Sequence, residues 1–263
     1  MSTFKICIIQ ALITDDLQQN YMNITKLVSS SCNLYNPDLL VLPDSWINLN
    51  KENQILLAQE ESSSEYLLFL KNLSKEHNKY IIGGSIPEKE NDKYYNTCYC
   101  FNSQGEVKAK HRQVHFLNNK LYSSGDKFTV FETPFAKIGV GIDEDLRFME
   151  YSQVLKSLQC NLLVFPLSYQ NFKENDNCKI ISQGRALDNN IYLVCASCYK
   201  NDSDSGYSHV VNPYGEIIIN SSSQECSIMS VIDLGIIDKI QESIPTLKQK
   251  RLDLYELVNK INN

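Results

Sequence analysis

Basic residues are scarce in this 263-residue chain. It holds 25 Lys and Arg against 31 Asp and Glu, for a formal net charge of −6, and its basic residues form no long run. Proteins that attract nucleic acid or a membrane surface electrostatically carry clustered positive charge, so the composition predicts neither partner. Small polar or cationic ligands fit this charge balance better.

Long apolar segments are also missing. No window approaches the roughly 18 apolar residues that span a bilayer. The first residues, MSTFKICIIQ, enter an apolar strand at once, without a secretory or organelle-targeting pattern. Most of the nine cysteines stand singly in apolar strand-like runs, which is typical of reduced, buried thiols. Together these features predict a cytoplasmic protein.

The chain also lacks a paired cysteine motif of the kind that binds zinc. Cys195 and Cys198 form one CxxC, but a zinc site of this type needs a second pair at suitable spacing. We therefore expect these two cysteines to be packed strand residues. The histidines His111, His115 and His209 show no metal-ligand spacing either, and we expect them to be structural.

What the chain does contain is a succession of short apolar runs and amphipathic helical patterns. The unalternating run PDLLVLPD is typical of a strand covered on both faces, and two hairpins, turning at Asn-Ser-Gln-Gly and Asn-Pro-Tyr-Gly, add antiparallel strands. Helical patterns lie at 17–31, 64–77, 148–158, 174–189 and 234–243, and strand patterns include 4–10, 128–133, 137–142 and 226–232. Two mixed sheets with helices outside them predict an α/β fold, a four-layer α-β-β-α sandwich. We expect residues 1–263 to form a single domain, with the amphipathic tail at 244–263 packing across a subunit interface.

Polar residues follow several of the predicted strands. Asp44 comes after LLVLP, Asp143 after IGVGI, Ser168 after LLVFPL, and Gln113 after the first hairpin. Ligand sites of α/β sheets lie outside the carboxyl ends of strands, so we expect these side chains to converge. Asp143 also stands at a sharp strand-to-helix turn in IGVGIDEDLRFMEYSQ, the kind of elbow that presents a nucleophile in other enzymes.

These segments resemble the carbon-nitrogen hydrolase (nitrilase) superfamily and, within it, the omega-amidase-like branch. The similarity covers essentially the whole chain through ordered matches such as LLVLPD, IIGGSIPE, KAKHRQVHF, DLRFMEYSQ, GRALDNNIYLVCAS and HVVNPYGEI. The resemblance implies the four-layer sandwich and the pairing of two chains through the helix after the elbow and the helix near 178–189. It also implies amide or nitrile hydrolysis by a Glu base, a Lys and a Cys nucleophile, with no cofactor and no metal.

The resemblance further implies that all three catalytic positions are substituted. The family Glu falls on Asp44, the Lys on Gln113 and the Cys on Asp143. The segment HFLNNKLYSSGD lacks the longer family loop that carries a second glutamate, and the family histidine-tryptophan pair falls on Asn177 and Cys178. We expect Asn177, Cys178 and Ser168 to be pocket or structural positions. Arg147 belongs to the same group, and we expect it to pair with an acid of the fold.

Such substitutions predict the loss of hydrolysis. Asp143, whose ordinary pKa is about 3.9, is ionised at neutral pH but is a weak nucleophile. Its adduct with an amide would expel the carboxylate before the amine. Gln113 removes the cation that stabilises oxyanion charge, and Asp44 shortens the reach of the base by roughly 1 Å. The leading hypothesis is a catalytically degenerate protein, a pseudoenzyme with a binding, structural or partner-subunit role, as a homodimer or in a hetero-oligomer with a related subunit.

Two alternatives stay open. An Asp44 and Asp143 pair could activate water, which would keep amide hydrolysis of the omega-amidase type on a non-standard site. Alternatively, two carboxylates without a Lys between them repel each other, and a cation, a polyamine or another small amine could relieve that repulsion.

Overall fold

Thirteen strands form two mixed sheets in the part of the chain that the computed structural model describes, which comprises residues 3–117, 121–168, 172–201, 205–245, 247, 249–251, 253–255, 257 and 260. The strands are β1 (Thr3–Gln10), β2 (Leu39–Val41), β3 (Tyr80–Ile82), β4 (Ile86–Glu90), β5 (Lys93–Phe101), β6 (Val107–Arg112), β7 (Thr129–Glu132), β8 (Lys137–Val140), β9 (Leu162–Leu167), β10 (Tyr192–Ser197), β11 (His209–Val211), β12 (Ile217–Asn220) and β13 (Cys226–Asp233). The first sheet runs β13-β1-β2-β3-β5-β4, with β6 also paired to β5, and the second runs β12-β11-β10-β9-β8-β7.

Helices cover the outer face of each sheet. The helices of the described ranges are α1 (Leu17–Tyr35), α2 (Lys51–Leu56), α3 (Glu65–His77), α4 (Met149–Ser157), α5 (Phe172–Asn189) and α6 (Gly235–Ser243), with short 3-10 turns at Glu61–Ser63 and Asp143–Arg147. Helix α6 differs from the others in contributing Ile237 to the layer between the sheets. Helices α1 and α3 pack on the first sheet, while α4 and α5 pack on the second. The predicted four-layer α-β-β-α sandwich is therefore confirmed. Across the described ranges, no helix combines the length and the apolar character that crossing a membrane requires.

Alternate residues of each central strand supply different layers of the core. In β1, Ile6 and Ile8 point between the sheets, whereas Cys7 and Ile9 face the helices. The layer between the sheets also holds Val41, Ile82, Ile138, Val140, Val164 and Val194. Because side chains alternate across a strand, burial on both faces requires an apolar residue at nearly every position. This is why the runs lack alternation in the sequence.

The ends of β1 and β10 are joined across the sandwich by two backbone hydrogen bonds. The amide of Ile13 donates to the carbonyl of Tyr199 over 2.8 Å, and the amide of Tyr199 donates to the carbonyl of Ala11 over 2.9 Å. This bridge ties the first sheet to the second at the edge where the central parallel strands end.

The structure adds one helix that the sequence patterns did not predict and leaves the tail only partly described. Helix α2 has six residues, too few for an apolar stripe, and it begins where Asn50 accepts hydrogen bonds from the amides of Glu52 and Asn53. The predicted 244–263 tail is described only in part, and its described residues include the exposed apolar side chains of Leu254 and Tyr255.

Candidate functional site

The elbow after β8 has the geometry that its sequence predicts. Asp143 follows the strand with a φ of 46°, in the left-handed region, and the chain turns at once into the 3-10 turn Asp143–Arg147 and then α4. This conformation is uncommon for residues other than glycine, although aspartate tolerates it better than most. Gly141, two residues earlier, leaves room for the ring of Phe165, since a Cβ there would meet that ring at 2.3 Å.

Asp143 contacts the end of the neighbouring strand. The hydroxyl of Ser168, just past β9, donates to Asp143 Oδ2 over 3.2 Å. Asp143 is only 4% exposed. Two of the predicted site residues are thus brought together because β8 and β9 are adjacent parallel strands.

Asp44 lies at the matching end of the first sheet and receives hydrogen bonds from neutral donors. Its Oδ2 accepts from the Ser45 hydroxyl over 2.8 Å. Its Oδ1 accepts from the amide Nδ2 of Asn96 over 2.9 Å and also from the hydroxyl of Ser85. These three donors stabilise a carboxylate without placing an ammonium or guanidinium against it.

Asn96 joins Asp44 to Gln113. The same Nδ2 of Asn96 lies 2.9 Å from Gln113 Oε1, and Gln113 Nε2 donates to the carbonyl of His115 over 2.8 Å. The position where the resemblance expects a lysine ammonium therefore holds a neutral amide whose oxygen already accepts a hydrogen bond. Within the described ranges, the remaining side-chain oxygen of Asn96, Oδ1, is a buried acceptor without a hydrogen-bond partner.

The buried thiol of Cys198 is affected by the charges of both Asp44 and Asp143. Cys198 follows β10, and its pKa is raised to about 12, first because burial disfavours the thiolate and then because the charges of Asp44 and Asp143 repel it. A weaker opposing effect comes from Lys200. The residues that follow β2, β8 and β10 therefore lie close enough to interact electrostatically. Cys195, its CxxC partner, instead packs with the residues beneath α4 and α5.

A second carboxylate of the elbow holds the turn in place. Asp145 is fully buried, and its Oδ1 accepts from His115 through the backbone amide at 2.9 Å and the ring Nδ1 at 2.8 Å. Its Oδ2 accepts from the amide of Ile142 at 3.0 Å and lies 3.2 Å from Nε2 of His111. The structural role predicted for these two histidines fits these contacts.

The remaining predicted positions lie in the scaffold. Arg147 is half-buried, and its carbonyl accepts a hydrogen bond from Arg185 over 2.9 Å. Asn177 is exposed on α5. Cys178 is buried between α5 and the second sheet, beside Cys195. Cys178 is therefore a buried core residue, and Asn177 is a surface residue.

An open cavity of about 480 Å³ lies at the same edge of the sandwich. It is bounded by the loop after β1, by the start of α2 and by residues just past β10, and its lining includes Thr14, Asn50, Asn53 and Lys200. These mostly polar groups suit a small polar molecule better than an apolar one.

Two residues of this site were missed by the sequence reasoning. Asn96 lies inside β5, and nothing in the chain order shows that it reaches Asp44 and Gln113. Cys198 follows β10 as Ser168 follows β9, so the rule that selected Ser168 could also have selected Cys198.

Comparisons with known proteins agree with this architecture. Residues 5–240 match the family model described as carbon-nitrogen hydrolase. The chain is 33% identical over 277 residues to omega-amidase NIT2 of Xenopus tropicalis, covering 100% of both chains. It is 31% identical over 275 residues to omega-amidase NIT2 of Homo sapiens, covering 99% of each. Among solved structures, Nit3 of Saccharomyces cerevisiae, a member of branch 10 of the nitrilase superfamily, superposes with a TM-score of 0.88 at 27% identity, over 95% of this chain and 97% of that one.

Proposed function

This chain belongs to the carbon-nitrogen hydrolase family, and we propose that it is a catalytically inactive member whose site at these strand ends binds a small polar ligand. The observation that carries the proposal is the carboxylate of Asp143 at the crest of the elbow. A carboxylate that attacks an amide carbonyl forms a tetrahedral adduct in which the carboxylate leaves far more readily than the amine. Attack from Asp143 therefore returns to substrate.

The neighbouring thiol does not replace the missing nucleophile. A thiolate is the reactive form of cysteine, and burial together with the charges of Asp44 and Asp143 raises the pKa of the Cys198 thiol to about 12, so the thiol stays protonated at pH 7. The amide of Gln113 also carries no positive charge for a developing oxyanion, which is usually a large contribution to catalysis.

A second candidate function is amide hydrolysis of the omega-amidase type. The comparisons by themselves favour it over the loss of activity, because the similar relatives are named omega-amidases. In this chain it needs a different set of groups, such as Asp44 and Asp143 sharing a proton and activating water.

An ammonia-release assay separates the two functions. We expect the purified protein to release no ammonia above the buffer blank from short omega-amides or simple aliphatic amides between pH 4 and 9. The variant Asp143→Ala should behave identically. Exposed Asp126 provides a matched control, Asp126→Ala. Ammonia release that survives in Asp126→Ala and disappears in Asp143→Ala would overturn the proposal, and a bell-shaped pH profile would then identify the carboxylate pair.

Restoring the three family residues tests whether the geometry of the site still supports acylation. The triple variant Asp44→Glu, Gln113→Lys and Asp143→Cys returns the three groups that the family resemblance expects. Intact-mass spectrometry after mixing with an amide detects the acyl adduct on Cys. We expect weak acylation at best, because the segment before Gly125 is shorter than the family loop.

The buried acceptor groups of Asp44 and Asn96 favour a ligand that carries N–H donors. Among the described residues, the hydrogen bonds to the Asp44 carboxylate come from the neutral donors Ser45, Ser85 and Asn96, and the buried carbonyl oxygen of Asn96 has no partner there. An unpaired buried acceptor costs about 1–3 kcal/mol, which an ammonium or amine can recover. We therefore propose a small amine or polyamine as the ligand class.

A melting experiment tests this ligand class. Putrescine at a hundred times its Kd should stabilise the fold by about 2.7 kcal/mol and raise Tm. The neutral analogue 1,4-butanediol should not, since it lacks the charge, and Asp44→Asn should lose the shift. Equal shifts with both compounds, or none with putrescine, would count against an amine ligand.

A further inference from the structure

Three buried metal-ligating side chains meet on the helix-covered face of the second sheet. The sulfurs of Cys178 on α5 and Cys195 on β10 and a ring nitrogen of His209 on β11 all lie within 4.8 Å of one another. Cys195 and His209 are directly opposite each other in the antiparallel pair of β10 and β11. Each of the three is at most 2% exposed. We propose that this cluster is a binding site for a single Zn²⁺ ion.

The donor set has the chemistry that zinc prefers. Zn²⁺ is bound in proteins chiefly by cysteine sulfur and histidine nitrogen. Two thiolates also cancel the charge of the dication, so the complete site carries no net charge, and a buried neutral site avoids most of the cost of placing an ion in the core. Binding releases two protons, one from each thiol, and forms two Zn–S bonds and one Zn–N bond.

The hydrogen bonds of His209 already orient its ring for this role. Nδ1 lies 2.9 Å from the carbonyl of Tyr207, so Nδ1 carries the proton and donates it there. That leaves the lone pair of Nε2 as the ligand atom. A ring nitrogen that donates to a backbone carbonyl while the other binds the metal is the usual arrangement around metal-bound histidine.

Ser182 occupies the position next to Nε2 and has an alternative partner. Its hydroxyl lies 2.8 Å from Nε2 of His209 and 2.9 Å from the carbonyl of Lys179. When the ion takes Nε2, the hydroxyl donates to Lys179 and keeps a hydrogen bond. A tetrahedral site then has one further position, which the Ser182 oxygen or a water molecule can fill.

Binding requires only a small contraction of the cluster. Zn–S bonds of about 2.3 Å and Zn–N bonds of about 2.0–2.1 Å place tetrahedral ligand atoms roughly 3.3–3.8 Å apart. The two sulfurs already lie within 4.8 Å of each other. An inward movement of about 1 Å, achieved by rotating the thiols, closes the present spacing around the ion.

Metal content and a competition titration test the site. Protein purified with reductant from zinc-supplemented medium and then gel-filtered should retain about one Zn²⁺ per chain by elemental analysis. Cys178→Ala should weaken Zn²⁺ binding at least about 100-fold in competition with a chromophoric chelator. The matched control is Cys160→Ala, which removes another buried cysteine of the same core layer and should bind as the unchanged protein does. Asp143→Ala should also bind normally.

Cobalt spectroscopy keeps the test decisive if Cys178→Ala folds poorly. Co²⁺ titrated into the unchanged, metal-free protein should produce a thiolate-to-cobalt charge-transfer band and the strong visible absorption of tetrahedral coordination, both removed by one equivalent of Zn²⁺. Sub-stoichiometric Zn²⁺ together with a cobalt spectrum lacking the thiolate band would overturn the proposal. So would equal affinity in the two cysteine variants, or binding lost in Asp143→Ala.

Discussion

Two aspartates of one turn have opposite surroundings. Asp143 accepts a hydrogen bond from the hydroxyl of Ser168, whereas Asp145 accepts hydrogen bonds from the amide of Ile142 and from His111 and His115. Burial alone would raise the pKa of Asp145, but the hydrogen bonds from both histidines and from Ile142 outweigh it and lower the pKa below its ordinary value. The carboxylate form is therefore part of what holds the elbow.

Replacing Asp145 should make stability depend less on pH. A carboxylate with a lowered folded-state pKa contributes stability above its unfolded-state pKa, near 3.9, and loses it as the pH falls through the folded-state value. In Asp145→Asn, the side-chain NH₂ group would face N–H donors of Ile142 and His115. We therefore expect the free energy of unfolding to fall by about 3–5 kcal/mol at pH 7. At pH 3 the difference from the unchanged protein should be smaller.

Urea unfolding at both pH values measures this effect. The exposed Asp126→Asn variant serves as the control and should change stability little at either pH. A cost for Asp145→Asn that is the same at pH 3 and pH 7 would contradict the role assigned to the carboxylate.

At the scale of the element, strands were more predictable than the contacts between their side chains. Apolar runs located β2, β8 and β9, and strand-end position selected Asp44, Asp143 and Ser168. The link through Asn96 was not predictable, because it depends on where β5 lies beside the loop after β2. Short α2 was missed for a different reason: six residues show too little periodicity.

The cysteine cluster illustrates the same limit. Cys178, Cys195 and His209 are separated by intervals that match no metal-binding motif, and only the register of β10 against β11 brings the last two together. The visible CxxC brings no such pair together, because Cys195 and Cys198 are packed in different core layers. Spacing in sequence identifies sites on one turn or one hairpin, whereas sites built from a helix and two strands require the fold.

The outer surface of the whole molecule favours association. Helices α4 and α5 expose Met149, Ile180 and Leu187, which are 49%, 69% and 52% accessible. The tail adds Leu254, Tyr255 and Leu257. Exposed apolar side chains mark an interaction surface where they form one contiguous patch. We propose that two copies pair through α4 and α5, with the tail across the contact; a related subunit is the alternative partner.

Light scattering after gel filtration tests this pairing. We expect a particle of twice the 30.1 kDa chain mass. Leu187→Asp should shift it toward the monomer, because a charge buried in an apolar contact is costly. Leu68→Asp is the matched control: Leu68 is 57% exposed on α3, in the other helical layer. A monomeric unchanged protein would point instead to the related subunit, and equal behaviour of both variants would exclude α5 as the contact.

The backbone bridge between Tyr199 and the end of β1 has a consequence for the edge where the open cavity lies. Since Ala11 and Ile13 both bond to Tyr199, the ends of β1 and β10 cannot separate without breaking two backbone hydrogen bonds. Ile13 and Lys200, on either side of this bridge, both line the open cavity. Because the bridge uses main-chain atoms only, substitutions of the polar side chains around the cavity leave it in place.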